Sequence, residues 1–320
     1  KARLQALAES GTAKMMTVTG EETPVARLAK VKLPELRPLT PSSRSLHTDW
    51  QMSSYSAMAM LSEYEESGAN NTSSSGRIVP VPGLPAGASF GNVVHELLDG
   101  LNFAAIAKGD KENDLLVRQK CLRYGVTADT AEVARLLQQV VTTPLLEGAG
   151  PENFCLASVD AGRCLKEMGF YFHLGLLETK SINDILADEP TFVPLSQRVM
   201  RGYLTGFIDL FLESGGKYYV LDYKTNFLGD NLADYQTEKL ASAMQSHNYG
   251  LQYWLYTLVL HRHLRQHLPG YRYQDHFGGV LYLFVRGMTP DIAGSGVYAT
   301  LPSYEKVLAL DQVIGGRDNE

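Results

Sequence analysis

Two aspartates and a lysine stand in a pattern that could hold a metal ion. Asp209 closes Gly206-Phe207-Ile208-Asp209, and Leu221-Asp222-Tyr223-Lys224 follows after a Gly215-Gly216 pair. A two-residue Gly-Gly loop closes a hairpin and pairs Ser214 with Lys217. Counting outward sets Asp209 directly opposite Asp222, with Lys224 two residues further on the same face. A three-residue loop would slip the register by one and need a bulge to restore it. Opposed carboxylates have Cβ atoms about 5 Å apart. At an effective dielectric of about 20 their repulsion is about 3 kcal/mol. A hard divalent cation relieves that cost, and carboxylate oxygens are the ligands Mg²⁺ prefers. Lys224 adds a donor that could orient or activate a water. The set points to metal-assisted phosphodiester hydrolysis. The bland alternative, a strand-end aspartate with a solvated lysine, explains each residue singly but not the three in matching phase.

These residues need strands to carry them. The apolar patterning predicts strands at 170–174, 205–212, 217–223 and 278–286. It predicts helices near 54–66, 90–101, 114–124 and 130–143, and a long helix over 234–268 broken near Gly250. Residues 67–89, rich in Gly, Ser, Asn and Pro, read as a mobile surface loop. Residues 1–47, with Pro24, Pro34, Pro38 and Pro41, read as a connector or tail, and 48–320 as one domain. The order of elements implies an α/β fold with a mixed central sheet flanked by helices.

The chain has 320 residues and a net charge of −6, which argues against gripping nucleic acid by bulk positive charge. It begins at lysine, which suggests a piece of a longer protein. Cys121, Cys155 and Cys164 form no CxxC, so a zinc ribbon or disulfide framework is not expected. No apolar run approaches the roughly 18 residues of a membrane helix, and a cytoplasmic location is expected. No Walker A motif occurs, hence no ATP site is expected, and no G-x-S-x-G elbow is present. His263 and His267 lack the intervening glutamate of a zinc protease, so a basic helix end is the better reading.

The pattern GFID…LDYK, preceded by a helical histidine and followed by Gln-x-x-x-Tyr, resembles the RecB-type branch of the PD-(D/E)xK nucleases. The similar stretches are 50–56, 91–97, 167–172, 202–226, 243–264 and 276–287. The resemblance implies a restriction-endonuclease-like core and a catalytic Mg²⁺ site of one or two ions. It implies Asp209 and Asp222 as ligands and Lys224 as the catalytic lysine. His95, in Gly91-Asn92-Val93-Val94-His95, matches the helical histidine of the metal shell, and the carbonyl of Tyr223 is a further candidate ligand. Glu167 matches an upstream acid near the metal. Gln252 and Tyr256, four apart on one helix face, would brace the lysine or contact DNA. Some relatives hold an iron–sulfur cluster on cysteines downstream of the lysine; none follows Lys224 here. The resemblance further implies the nuclease domain of a bacterial helicase–nuclease that cuts unwound single-stranded DNA in double-strand-break repair by recombination. Its partners would be gamma and alpha subunits of a heterotrimer and the recombinase RecA. The rival expectation is an inactive nuclease-fold scaffold that docks partner subunits or recombinase.

Overall fold

The computed structural model describes residues 9, 51–59, 76–110, 112–148 and 154–315. The chain divides into two units, Lys1–Leu46 and His47–Glu320. The connector expected at 1–47 lies outside the described residues except residue 9, as do 60–66 of the expected helix and 67–75 of the expected loop.

In chain order, β1 (Gln51–Ser54) runs into α1 (Tyr55–Ala59). A helical group follows: α2 (Ala88–Gly100), α3 (Phe103–Lys108), α4 (Glu112–Arg123) and α5 (Thr130–Thr142). Next come β2 (Cys164–Glu178), α6 (Thr179–Ile185), β3 (Val199–Ser214) and β4 (Lys217–Lys224). The chain continues through α7 (Thr237–Ser246), α8 (Tyr249–His267), α9 (Tyr273–His276), β5 (Phe277–Phe284), β6 (Val297–Thr300) and α10 (Tyr304–Gly315).

The six strands form one mixed sheet in the order β1-β3-β4-β5-β6, with β2 paired to β3. The β1/β3 and β4/β5 pairs are parallel and the others antiparallel. Because β2 occupies one edge of β3, β1 at 202–205 and β4 at 210–214 must share the other. That leaves residues 206–209 of β3 as a gap between two end-to-end strands.

Each side of the sheet has its own core. On one side α8 and α10 pack with Phe170, Phe172, Leu204, Ile208, Val220 and Tyr282. On the other, α2 to α5 pack with Leu210, Leu212, Leu221 and Leu283. Helix α2 buries Phe90, Val93, Val94, Leu97 and Leu98, an amphipathic stripe. Helix α8 is buried without interruption from Gly250 to His261 and serves as the central helix of its layer.

Three expectations change in detail. The long helix breaks at Asn248, which has φ 50°, and not at Gly250. Asn248 holds the break by donating to the Val193 carbonyl and accepting from the Val193 N–H, both at 3.0 Å. Gly250 lies within the helix, and its hydrogen faces the Thr191 carbonyl, 2.3 Å from where a Cβ would sit. Strand β2 is three times and β3 twice the expected length, because their outward positions carry aromatic residues instead of a clean polar alternation. The described part of the expected loop is tied down: Val79, Val81 and Leu84 are buried, Val79 donates to the Asp230 carbonyl, and residues 88–89 begin α2.

Candidate active site

The β3–β4 hairpin has the register that the Gly-Gly loop dictates. Ser214 pairs with Lys217 and the ladder runs to Leu210 opposite Leu221. Gly215 and Gly216 have φ of 61° and 78°, as a two-residue hairpin turn requires. The next step would pair Asp209 with Asp222, but the ladder stops there. The Asp209 carboxylate instead accepts the backbone N–H of Tyr223 at 2.8 Å. It therefore lies within the sheet, between the parting strands, and not on a common face with Asp222.

The cause is visible on the other edge of β3. The β2–β3 ladder pairs Lys166 with Leu210 and Met168 with Ile208 but skips Glu167 and Asp209. Glu167 has φ 49°, a left-handed conformation that costs a non-glycine residue about 1–2 kcal/mol. Even-numbered β3 residues face the α8 layer through Ile208 and the α2 layer from Leu210 onward. The pleat thus changes hand at Glu167 and Asp209, turning both carboxylates off the regular alternation and toward α2.

On α2, His95 Nδ1 lies 3.3 Å from Asp209 Oδ2, and its ring meets Tyr223 edge-on. His95, Glu167 and Asp209 each present one ligand atom within 4.8 Å of the others. Burial lowers the proton affinity of His95, but the Asp209 carboxylate outweighs it and the imidazole is pushed up. Burial works against Asp209 ionising, yet His95 and Lys224 hold its carboxyl below the usual range. Glu167 is pushed up by burial and by the charges of Asp209 and Asp99.

Asp222 and Lys224 project toward α8. Asp222 is 2% exposed, and Lys224 Nζ lies 2.6 Å from its Oδ2. The ammonium stands off the angle of a hydrogen bond, so this buried oxygen has no hydrogen-bond donor. Burial outweighs the neighbouring ammonium and pushes Asp222 up to about 6. Burial works against the charged form of Lys224, but Asp222 outweighs it and the lysine is held above its usual range.

Helix α8 braces the lysine. Lys224 donates to Gln252 Oε1 at 3.1 Å, and Gln252 Nε2 donates to the Tyr256 hydroxyl at 2.8 Å. Tyr256 in turn donates to the Phe207 carbonyl at 2.8 Å, in the unpaired gap of β3. Two residues were missed in the sequence. Tyr282 donates to Gln252 Oε1 at 3.0 Å, and the Tyr249 ring sits 3.9 Å below the ammonium. Both had a signal: Tyr282 lies beside Asp222 in the parallel β4–β5 register, and Tyr249 is one turn before Gln252.

The structure therefore assembles every residue singled out in the sequence, as two sets. His95, Glu167 and Asp209 form one; Asp222, Lys224, Gln252 and Tyr256 form the other. Tyr223 joins them through its backbone. The donor set suits a hard cation: one imidazole and three carboxylates, those of Glu167, Asp209 and Asp222, the last with a buried oxygen that has no hydrogen-bond donor.

The family model for the PD-(D/E)XK nuclease superfamily matches residues 77–313. The chain belongs to the PD-(D/E)XK nuclease superfamily. It is 35% identical over 238 residues to the RecBCD enzyme subunit RecB of Escherichia coli, covering 73% of this chain and 20% of that protein. It is 37% identical over 281 residues to the same-named subunit of Mycobacterium tuberculosis, covering 78% and 25%. With the Haemophilus influenzae subunit the identity is 36% over 233 residues, covering 72% and 19%. The chain thus carries a RecB-like nuclease domain and spans a fifth to a quarter of these relatives' length. Among the described residues no helix is long and apolar enough to cross a membrane.

Proposed function

We propose that the chain is the Mg²⁺-dependent nuclease domain of a helicase–nuclease of the exodeoxyribonuclease V type, hydrolysing phosphodiesters of unwound single-stranded DNA. The observation that carries this reading is the junction at Asp209, where the His95–Glu167–Asp209 group meets the Asp222–Lys224 pair. Asp209, Asp222, His95 and the Tyr223 carbonyl would hold the ion, with Glu167 beside them. A bound Mg²⁺ would stabilise charge on a phosphate oxygen and acidify the attacking water.

The residues supply the rest. Lys224 remains an ammonium beside Asp222, so it donates to and orients the water or phosphate. Gln252 and Tyr282 hold that ammonium in place, which lowers the entropic cost of the aligned state. Nothing in this set reads base edges, so cleavage depends little on sequence. The relatives' printed name, RecBCD enzyme subunit RecB, supports membership of a complex of that type. Assembly with gamma and alpha subunits, a cytoplasmic bacterial setting and a part with RecA in recombinational repair belong to the same proposal. The inactive-scaffold alternative expects an eroded acid–acid–lysine set, whereas every member is present, Asp222 buried and Asp209 and Lys224 half-buried.

The test is cleavage of an end-labelled single-stranded oligonucleotide with Mg²⁺, comparing the wild type with Asp222→Ala and Lys224→Ala. Each variant should lose at least about 10²-fold in rate. Equal cutting by all three would overturn the site. Calorimetric titration with Mg²⁺ runs alongside, and loss of binding in Asp209→Ala is expected whether or not the chain cuts without a motor.

A further inference from the structure

Among the described residues the α2 layer covers only part of its side of the sheet. From Leu210 onward β3 is buried beneath it, but the same side of β1, β2 and the first half of β3 carries large exposed side chains. Tyr171 is 71% exposed, Phe207 63% and Met52 71%. They share one face, because Met52 pairs with Tyr203, Tyr203 with His173, Thr205 with Tyr171 and Phe207 with Gly169. The His173 and Tyr203 rings meet edge-on at 5.5 Å. Phe207 lies over Gly169, where a Cβ would come within 3.3 Å of the ring. That glycine lets the aromatic lie flat on the backbone.

The row points at the candidate active site. Phe207 precedes Asp209 by two residues and Gly169 follows Glu167 by two, so the row ends about 7 Å from the carboxylates. Tyr171, level with Thr205, lies about 14 Å out along the strand. The Phe207 carbonyl also ends the hydrogen-bonded chain that starts at Lys224.

We infer that this face is a base-stacking platform that leads single-stranded DNA into the site. The inference rests on the nuclease reading above and specifies how the strand is held. Aromatic rings on a sheet face stack on any base, which suits a site that reads no sequence. Stacking supplies grip that does not depend on bulk positive charge, in a chain whose net charge is −6. The platform's continuity with Asp209 and Glu167 selects a strand threading toward hydrolysis over a partner protein docked on a remote patch.

The test is anisotropy of labelled oligothymidylate with the full chain in EDTA, where no metal-dependent cutting occurs. Tyr171→Ala and Phe207→Ala should each weaken binding roughly 5- to 150-fold, while Phe207→Tyr stays within about twofold. An abasic strand of equal length should bind weakly and alike to all three. Both positions are exposed, so unchanged melting temperatures confirm that the variants fold. Unchanged affinity in the alanine variants, or an abasic strand that binds as well as oligothymidylate, overturns the platform. So does unchanged affinity together with a wild-type dimer that Phe207→Ala dissolves, which would make the face a self-association surface. If Asp222→Ala still abolishes cutting in any of these cases, the nuclease reading stands and only the platform falls.

Discussion

A carboxylate as deeply buried as Asp222 is costly to ionise when one oxygen lacks a hydrogen-bond donor, even with Lys224 beside it. Asp222, pushed up to about 6, and His95, pushed up by Asp209, must both shed protons before they can bind a cation. Protons and Mg²⁺ therefore compete, and affinity rises as pH rises through about 6. Titration calorimetry should find binding at least about fourfold tighter at about pH 7.5 than at about pH 5.5, with more protons released at the lower pH. Pairs of buffers with different ionisation enthalpies measure that release; equal affinity at both pH values would sink the idea. Gln252→Ala should lower kcat about tenfold with KM little changed, because it frees the lysine without touching the metal ligands. Steady-state kinetics on a short oligonucleotide separates the two constants. The types and spacing of Asp209, Asp222 and Lys224 were legible in the sequence because the Gly-Gly hairpin counts them along its strands, whereas Gln252 and Tyr256 came only from the family resemblance. Tyr249 and Tyr282 were not singled out, since a tyrosine at a core position looks the same whether it packs or braces.

At the level of elements, the site depends on how β2, β3 and α8 are held. Gly250 enters α8 against the Thr191 carbonyl, and a Cβ there would sit 2.3 Å from that oxygen. Gly250→Ala forces the helix start or its backbone neighbour to move, at a cost of about 1–3 kcal/mol. Thermal melting reads this as a lower Tm, and unchanged stability would mean that the helix start shifts freely. Lys166 ties β2 to α2 by donating to the Leu98 and Leu101 carbonyls at 2.6 Å and to the Asp99 carbonyl at 3.1 Å. Glu167, the next residue, thereby stays near His95. The strands of the hairpin and β5 and the faces of α2 and α5 were legible from period, but β6 and α10, with Val307, Leu310 and Ile314 in the core, lie in a stretch too polar overall to be read as more than a tail. The lengths of β2 and β3 were not legible either, because exposed aromatics such as Tyr171 and Phe207 mask the polar half of the alternation. The helix break was displaced from Gly250 to Asn248 because a glycine marks a close approach as readily as a stop.

Across the whole molecule, two helical layers meet the sheet from opposite sides, and the candidate metal ligands come from the α2 layer and from the sheet itself. An ion held there links the α2 layer to the hairpin and binds the folded state alone. At a concentration of 100 times its Kd, Mg²⁺ should stabilise the chain by about 2.7 kcal/mol. Differential scanning calorimetry with and without Mg²⁺ measures this as a rise in Tm, and Asp209→Ala should abolish the rise. A rise that survives that substitution would place the ion elsewhere.

By itself the sequence determined the hairpin register and placed two acids and a lysine beside that hairpin. Both follow from short-range order, since a two-residue turn and a strand period need only neighbours in the chain, whereas the nuclease superfamily was read from a resemblance spread over residues 50–287. The tertiary structure decided where the carboxylates point. The change of hand at Glu167 and Asp209 exists only because β2 and β3 pair through it, with α2 waiting on the far side. A pleat read from one strand cannot foresee a turn that a second strand imposes.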